Sequence, residues 1–350
     1  MKLPYIIVCA MNALLFSLAA LVTIAPCFAA DTLRIYVIDV EGGGSTLVIA
    51  PSGQSMLIDS GSAGDRDPQR IAAAMRDAGL KKIDYLFTTH YDGDHVGGVT
   101  GANNVAHFER VFDHGEIDPK WEQNAGYEQR YKDYLEIAHK KRTIVKAGDL
   151  VPLKGLRVDV VASQGQVLSK PINHGGEPNP YCKDAEVKPP NKTENSQSAG
   201  VLVSFHKFSF LDVGDLTWDK EMDLACPVNK LGRISLLLAT HHGFFADMSG
   251  APALLWATMP QVVIANNGPR KGMADSAYNK IEKVRGIQGL WQSHLALAND
   301  KAHNTSEDLI ANLEPSPQCK GNWIKVEVHP DGRYTVTNGR NNFSRTYTAR

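Results

Sequence analysis

Four side chains that commonly bind metal ions lie within six consecutive residues, directly after an apolar segment. This segment, residues 83–89, is rich in apolar and β-branched residues, which predicts a buried strand. Ligand-rich loops at strand ends are a common way for α/β proteins to build a site. The four side chains are those of His90, Asp92, Asp94 and His95.

The spacing within this loop predicts two neighbouring metal sites. His90 and Asp92 are two residues apart, so both point to the same side of an extended segment. Asp94 and His95 follow a bend permitted by Gly93 and can reach a second ion. Two divalent cations would neutralise carboxylates that otherwise repel one another. Ions about 3.5–4 Å apart lower the pKa of a shared water and clamp the group under attack, so hydrolysis is the expected reaction.

Further polar motif residues follow in order along the chain. Asp215 and His241 each come just past a predicted strand, so three strand ends are expected to meet at one rim. For Asp215 alone, the alternative is the N-cap of a helix that begins near Trp218. The remaining motif residues are Asp59 in Ile58-Asp59-Ser60-Gly61, Asn195 and Ser198 ahead of Val201, His242 in Thr240-His241-His242-Gly243, and Asn266 in Asn266-Asn267-Gly268.

With these motifs, the chain resembles the metallo-β-lactamase superfamily, whose signature is His-x-His-x-Asp-His. The second histidine of that signature is Asp92 here. The form His-x-Asp-x-Asp-His, followed by Val-Gly-Gly, is similar to the soluble hydrolase domain of bacterial competence DNA-uptake proteins. The resemblance covers most of residues 33–340. It implies an α+β fold, the four-layer αββα sandwich of the superfamily.

The resemblance also implies roles for the motif residues. Asp94 would orient the attacking oxygen or take its proton. Of His241 and His242, we expect one to bind metal and the other to contact substrate or a ligating carboxylate, and the sequence does not say which. Asp59, Asn195, Ser198 and Asn266 would support the ligands or contact substrate. The implied ligands of two divalent ions, zinc or manganese, are His90, Asp92, Asp94, His95, Asp215, His241 and His242.

Two departures from the competence-type pattern bear on function. That domain carries Gly-His-Pro after its late Asn-Gly pair, whereas here Lys271 and Met273 follow, which weakens a DNA-hydrolase assignment. His294, expected near the end of the next strand, is a candidate catalytic acid or donor, and the alternative is a histidine with no role in the site. The second departure is the absence of the third-motif histidine of the classical enzymes. His174 is a candidate for it, although its surroundings predict a surface loop.

The first 30 residues predict a secretory signal peptide. Lys2 precedes an apolar stretch, and small residues at Cys27 and Ala29 suit a cleavage site before Ala30. The alternative is an uncleaved membrane anchor. We expect a secreted or periplasmic protein with no stable membrane insertion after cleavage. The remaining cysteines, Cys182, Cys226 and Cys319, permit at most one disulfide.

Residues 31–350 predict one hydrolase domain, with an inserted helix and loop at about 113–195. The helix is predicted from Trp121 to Arg142, and the loop over residues 169–196 is expected to form a lid or substrate wall. A formal net charge of -1 does not support a strongly basic nucleic-acid surface.

These features predict an exported dinuclear hydrolase that acts through a metal-bridged hydroxide. The competence-type resemblance implies that it cleaves phosphodiesters, in nucleic acid or a small molecule. One alternative is hydrolysis of cyclic amides or lactones. Another is a non-catalytic metal-binding module in DNA uptake or envelope assembly.

Overall fold

The computed structural model describes residues 31–117, 126–244 and 247–350. The predicted signal peptide lies outside the described residues, as does the start of the helix predicted from Trp121. Among the helices that are described, none combines the length and apolar character needed to cross a membrane.

Two mixed β-sheets form the centre of the molecule. The strands are β1 Leu33–Val37, β2 Thr46–Ile49, β3 Ser55–Ile58, β4 Tyr85–Phe87, β5 Arg110–Asp113, β6 Arg142–Ile144, β7 Arg157–Ser163, β8 Gln166–Val167, β9 Gly200–Phe205, β10 Phe208–Asp212, β11 Leu236–Leu238, β12 Val262–Ala265, β13 Gly289–His294, β14 Ile310–Asn312, β15 Ile324–Val328, β16 Arg333–Asn338 and β17 Ser344–Thr348. One sheet has the order β17-β16-β15-β1-β2-β3-β4-β5-β6, and the other β14-β13-β12-β11-β10-β9-β7-β8. Strands β3 to β6 are parallel to one another, as are β10 to β14, and parallel neighbours have their carboxyl ends at the same edge of a sheet.

The helices cover the outer faces of the two sheets. Helices α1, α3 and α4 share a hydrophobic core with the first sheet, and α5, α7 and α8 share one with the second sheet. This arrangement confirms the predicted four-layer αββα sandwich. The helices are α1 Arg66–Ala78, α2 Gly93–Val96, α3 Val99–Ala106, α4 Tyr127–Ala138, α5 Trp218–Ala225, α6 Thr240–Phe244, α7 Pro252–Thr258 and α8 Asp275–Glu282.

The alternation of side chains along each strand explains why both faces of each sheet are apolar. In β1, Ile35 and Val37 enter the core between the sheets, whereas Tyr36 faces the helices. In β12, Ile264 enters the same central core, whereas Val263 faces the helices on the other side. Strands covered on both faces read as continuous apolar runs.

Most of the loop that was expected to act as a lid packs against α5 and α7. A disulfide joins Cys182 to Cys226, which follows α5. The Asn179 amide donates to carbonyl oxygens of α5 and α7 at 3.0 and 2.9 Å. The Trp218 indole donates to the Glu186 carbonyl oxygen at 3.0 Å. The expectation of a lid was therefore wrong for this part of the loop, because a disulfide and hydrogen bonds hold it on α5 and α7.

A buried carboxyl group in α5 makes folding stability depend on pH. Glu221 accepts a hydrogen bond from the Ala251 amide at 2.7 Å, and burial raises the pKa of Glu221 to about 7. In the unfolded chain the pKa of this carboxyl group is lower, near 4.3. The group therefore stabilises the folded state fully only below about pH 4, and this stabilisation is lost as the pH rises to about 7.

We expect Glu221→Gln to raise the free energy of unfolding by about 2 kcal/mol at pH 8, and by much less at pH 5. Urea denaturation at the two pH values measures this difference. Glu136→Gln, at an exposed position in α4, is the control and should change neither value. An equal effect of Glu221→Gln at both pH values would rule out burial of the charge as the cause.

Candidate metal centre

The predicted site residues follow the carboxyl ends of neighbouring parallel strands. Asp59 follows β3 and His90 follows β4 in the first sheet. Asp215 follows β10, His241 follows β11 and Asn266 follows β12 in the second sheet. Because these ends face one another across the two sheets, the loops form one crevice, the usual position of a site in α/β folds.

Asp215 lies at the centre of this crevice. Its Oδ2 atom is 3.2 Å from His241 Nε2, 3.4 Å from His242 Nε2 and 3.9 Å from His90 Nε2. Its Oδ1 atom is 3.3 Å from His95 Nε2. The N-cap of α5 is Thr217, so the alternative role considered for Asp215 does not apply.

The remaining ligand candidates fall into two groups around Asp215. In one group, ligand atoms of Asp94, His95, Asp215 and His242 all lie within 4.8 Å of one another. In the other, His90 Nε2 is 3.8 Å from Asp92 Oδ2, on the side of Asp215 that His241 also contacts. The structure therefore brings both His241 and His242 to Asp215, one in each group.

The protonation states of Asp215, His90 and His241 suit divalent cations. Burial opposes ionisation of Asp215, but the imidazoles of His241, His242 and His95 outweigh it and hold the pKa of Asp215 well below its usual range. Burial, with the nearby His95 charge, lowers the pKa of His90. Burial also lowers the pKa of His241 to about 4. Ionised carboxylates and neutral imidazoles are the forms that bind metal.

A buried nitrogen without a hydrogen-bond partner also indicates that these residues fit a metal ion. His90 Nε2 is fully buried and has no hydrogen-bond partner among the described residues, yet it points at the two carboxylates of Asp92 and Asp215. A buried polar atom without a partner is costly unless a ligand satisfies it. Imidazole and carboxylate donors together suit zinc or manganese.

Asp59 fixes the orientation of His95, in agreement with the role that the resemblance implied. His95 Nδ1 donates to Asp59 Oδ2 at 2.6 Å, and Thr89 donates to the same oxygen through its hydroxyl at 2.6 Å. This hydrogen bond holds the imidazole so that Nε2 points to Asp215. A carboxylate behind a ligating histidine raises the basicity of the ring and sets its tautomer.

A glycine run that the sequence analysis did not single out is packed against the ligand loop. The Gly44 amide donates to the Asp94 carbonyl oxygen at 3.0 Å. A Cβ atom on Gly44 would lie 2.6 Å from His95 Nδ1 and 2.7 Å from Asp59 Oδ2. These distances are too short for any side chain, so glycine is required here for the close approach of the two loops.

We expect Gly44→Ala to weaken metal binding about 10- to 100-fold, because the added methyl group would separate the Asp59 and His95 side chains. Metal competition with a chromogenic chelator measures this. Gly93→Ala, in the ligand loop itself, is the matched control, since its Cβ would meet no atom closer than 3.5 Å. Equal metal affinity in both variants would contradict the proposed role of Gly44.

The other predicted residues divide between the crevice and distant positions. The Asn266 amide donates to the Gly43 carbonyl oxygen at 2.9 Å and lies 3.2 Å from His242 Nδ1. Asn195 and Ser198 are buried at the end of the long loop, and in the described chain neither side chain bonds a ligand candidate. His174 is exposed in the loop between β8 and β9, and it lines a groove with Arg233 and Met259, which precede β11 and β12, so it lies away from the carboxyl ends of these strands.

His294 belongs to a different cluster. Its Nε2 atom is 2.8 Å from Asp39 Oδ1 and 3.8 Å from Cys319 Sγ. Arg70 bonds Asp39 and Glu41 at 2.8 and 3.0 Å and neutralises these carboxylates. No hydrogen bond or ion pair between His294 and a ligand candidate is present in the described parts of the chain, so the structure does not bring His294 to the metal centre.

Two residues at the crevice were not recognised from the sequence as parts of the site. Glu194, next to Asn195, accepts hydrogen bonds from the Tyr91 amide at 3.2 Å and from His114 Nε2 at 2.9 Å. It thereby joins the end of the long loop to the ligand loop. Lys271 forms an ion pair with Asp94. Lys271 lies in the late loop, at the place where the competence-type domain has a histidine. That difference in sequence could have indicated that Lys271 belongs to the site.

Residues 39–160 match the family model described as the metallo-beta-lactamase superfamily. This match confirms the predicted superfamily and the predicted class, a metal-dependent hydrolase. No curated protein sequence matches the chain.

The chain is similar to several solved structures of low sequence identity. The metallo-beta-lactamase fold protein YhfI from Bacillus subtilis is 14% identical, with 74% of this chain and 96% of that chain covered and a TM-score of 0.45. MEM-A1, a subclass B3 metallo-beta-lactamase from a soil metagenome, is 15% identical, with 53% and 61% covered and a TM-score of 0.34. CmlA beta-hydroxylase is 15% identical, with 76% and 53% covered and a TM-score of 0.44.

Proposed function

Because residues 39–160 match the model of the metallo-beta-lactamase superfamily, we propose that the chain is an exported hydrolase that uses two divalent ions to cleave phosphodiesters. The observation that carries this proposal is the position of Asp215, whose two carboxylate oxygens face imidazoles of both ligand groups. A carboxylate placed between two donor groups can bridge two ions. The donor chemistry fits zinc or manganese equally well.

Two divalent ions bound here would lower the pKa of a water and polarise the bond under attack. The protein residues have separate tasks. Asp94 is the most exposed carboxylate of its group, with 27% of its side chain accessible, so it can hold or pass on a proton at the mouth of the crevice. Asp59 and Asn266 hold the rings of His95 and His242 in place from behind.

Cationic side chains on two sides of the ligand loop favour a negatively charged substrate. Lys271 contacts Asp94 from the late loop. Arg130 on α4 lies over Gly93, since a Cβ atom there would be 3.5 Å from the Arg130 side chain. Arginine and lysine are the usual partners of phosphate oxygens. These charges support a phosphodiester over a neutral lactone, in addition to the competence-type resemblance of the sequence.

Metal content and substrate preference test the proposal. The protein, purified without chelator, should contain two equivalents of zinc or manganese per chain by elemental mass spectrometry. It should hydrolyse bis(4-nitrophenyl) phosphate faster than a chromogenic cephalosporin or an acyl-homoserine lactone. A preference for the lactam or the lactone would favour the alternative hydrolase, and bound metal without turnover of any of the three would favour a non-catalytic module. Intact mass of the exported protein tests the loss of residues 1–30.

Lys271→Met should lower kcat/KM for the phosphodiester about 10- to 100-fold and for the neutral lactone much less, because a charge-assisted contact to the substrate is lost. Steady-state kinetics on both substrates measure this. Arg270→Met removes a neighbouring exposed charge and is the matched control. An equal loss for the two substrates would show that Lys271 acts on the metal centre and does not select the substrate.

A further inference from the structure

A second concave surface, the basal groove, lies at the other end of the strands that carry the metal centre. It has a volume of about 620 Å³. Its walls include Lys207 in the turn before β10, Arg233 ahead of β11 and Met259 ahead of β12. Asp215 and His241 follow the opposite ends of β10 and β11. The basal groove and the metal centre are therefore at least the length of β10 apart, which is about 15 Å for five residues.

The basal groove is rich in positive charge. Lys207, Arg233 and Arg285 are exposed at its edge. Within residues 31–117, 126–244 and 247–350, none of these three side chains makes a hydrogen bond or an ion pair. Among the lining residues described, Arg350 adds a further cation, and Glu177 is the acidic side chain. Unpaired cations that surround a concave surface attract an anionic ligand.

The basal groove also offers an aromatic wall that is held in place. The rings of Tyr181 and Trp256 pack edge to face, with centroids 5.5 Å apart. The Trp256 indole donates to the Lys280 carbonyl oxygen at 3.2 Å. The Cys182–Cys226 disulfide anchors the segment that carries Tyr181. Aromatic rings fixed beside cations can stack on a flat ring of a ligand.

We propose that the basal groove binds a small phosphorylated molecule with an aromatic ring, of the chemistry of a nucleoside monophosphate. Guanidinium groups bind phosphate oxygens through paired hydrogen bonds, and Trp256 contacts the ring. The volume lies in the range of small-molecule sites, about 300–1,000 Å³. Since the groove lies at the far end of the strands, it is a separate binding site and not a wall of the metal centre. The proposal does not depend on the hydrolase activity.

The test is calorimetric titration of the full chain after removal of metal with a chelator, so that phosphate cannot bind at the metal centre. The probes are AMP, adenosine and inorganic phosphate. AMP should bind with a Kd of at most about 1 mM and at least about tenfold more tightly than adenosine. Arg233→Gln with Arg285→Gln should weaken AMP binding at least about tenfold. The matched control pair, Arg76→Gln with Lys81→Gln, removes two exposed charges of α1 and the turn after it and should leave binding unchanged.

Trp256→Leu separates the two parts of the proposal. It should weaken AMP binding while leaving the binding of inorganic phosphate unchanged. Absence of AMP binding, or equal AMP affinity in the groove variant and the control, would overturn the proposal. A single-stranded oligonucleotide that binds more than about tenfold more tightly than AMP would overturn it in favour of a nucleic-acid surface. Circular dichroism of each variant verifies that it is folded.

Discussion

Asp215→Asn should remove both metal ions and lower hydrolysis at least about a thousandfold. The substitution keeps the shape of the side chain but removes its charge and one of its two acceptor oxygens. Both oxygens are in use, since Oδ1 lies 3.3 Å from His95 Nε2 and Oδ2 lies 3.2 Å from His241 Nε2. Oδ2 contacts histidines of both groups, His241 and His242, and loss of the negative charge weakens both groups whichever oxygen is replaced. Elemental analysis and phosphodiester kinetics on the same preparation measure the two effects.

The folded state should survive this change better than the metal site does. Asp215 is buried among four imidazoles, and removal of its charge leaves fewer protons bound to them. Asp223→Asn, at an exposed position in α5, is the control and should keep two ions and full activity. A folded Asp215→Asn protein that retains two ions would show that Asp215 does not bridge them.

The local parts of the site were predictable from the sequence. His90, Asp92, Asp94 and His95 follow an apolar strand, and their density has no structural explanation. Asp215 follows a second apolar strand, so its place at a strand end could also be inferred. The layered fold was implied by the resemblance to the superfamily, and the apolar runs of strands buried on both faces agree with it.

The contacts between distant segments were not predictable in the same way. Gly44 is required because the Asp94 backbone passes close to it, and the sequence contains no sign of that approach. Glu194 and Tyr91 are more than 100 residues apart, yet they are joined by a hydrogen bond. His294 was predicted at the metal centre, but it pairs with Asp39. The sequence does not distinguish these two positions, because a histidine near a strand end is compatible with both. Such assignments depend on the packing of several elements at once.

Asp94→Asn should lower kcat for the phosphodiester about 10²- to 10⁴-fold with little change in KM, because a proton acceptor near the reacting group is lost. Asp94 Oδ2 is 3.2 Å from His242 Nε2, and the ion pair with Lys271 holds it at the mouth of the crevice. Burial opposes ionisation, but His95, His242 and Lys271 hold the pKa of Asp94 well below its usual range. The carboxylate is therefore available as an acceptor at neutral pH.

This variant differs from Asp215→Asn in what it leaves intact. The group formed by His90, Asp92, His241 and Asp215 keeps every donor, so at least one ion should remain bound. Asp94→Glu restores a carboxylate one methylene further out and should recover part of the lost kcat. Metal content and single-turnover rates of the three proteins separate loss of an ion from loss of the proton acceptor. Full activity in Asp94→Asn would exclude Asp94 from the reaction, because an amide cannot accept that proton.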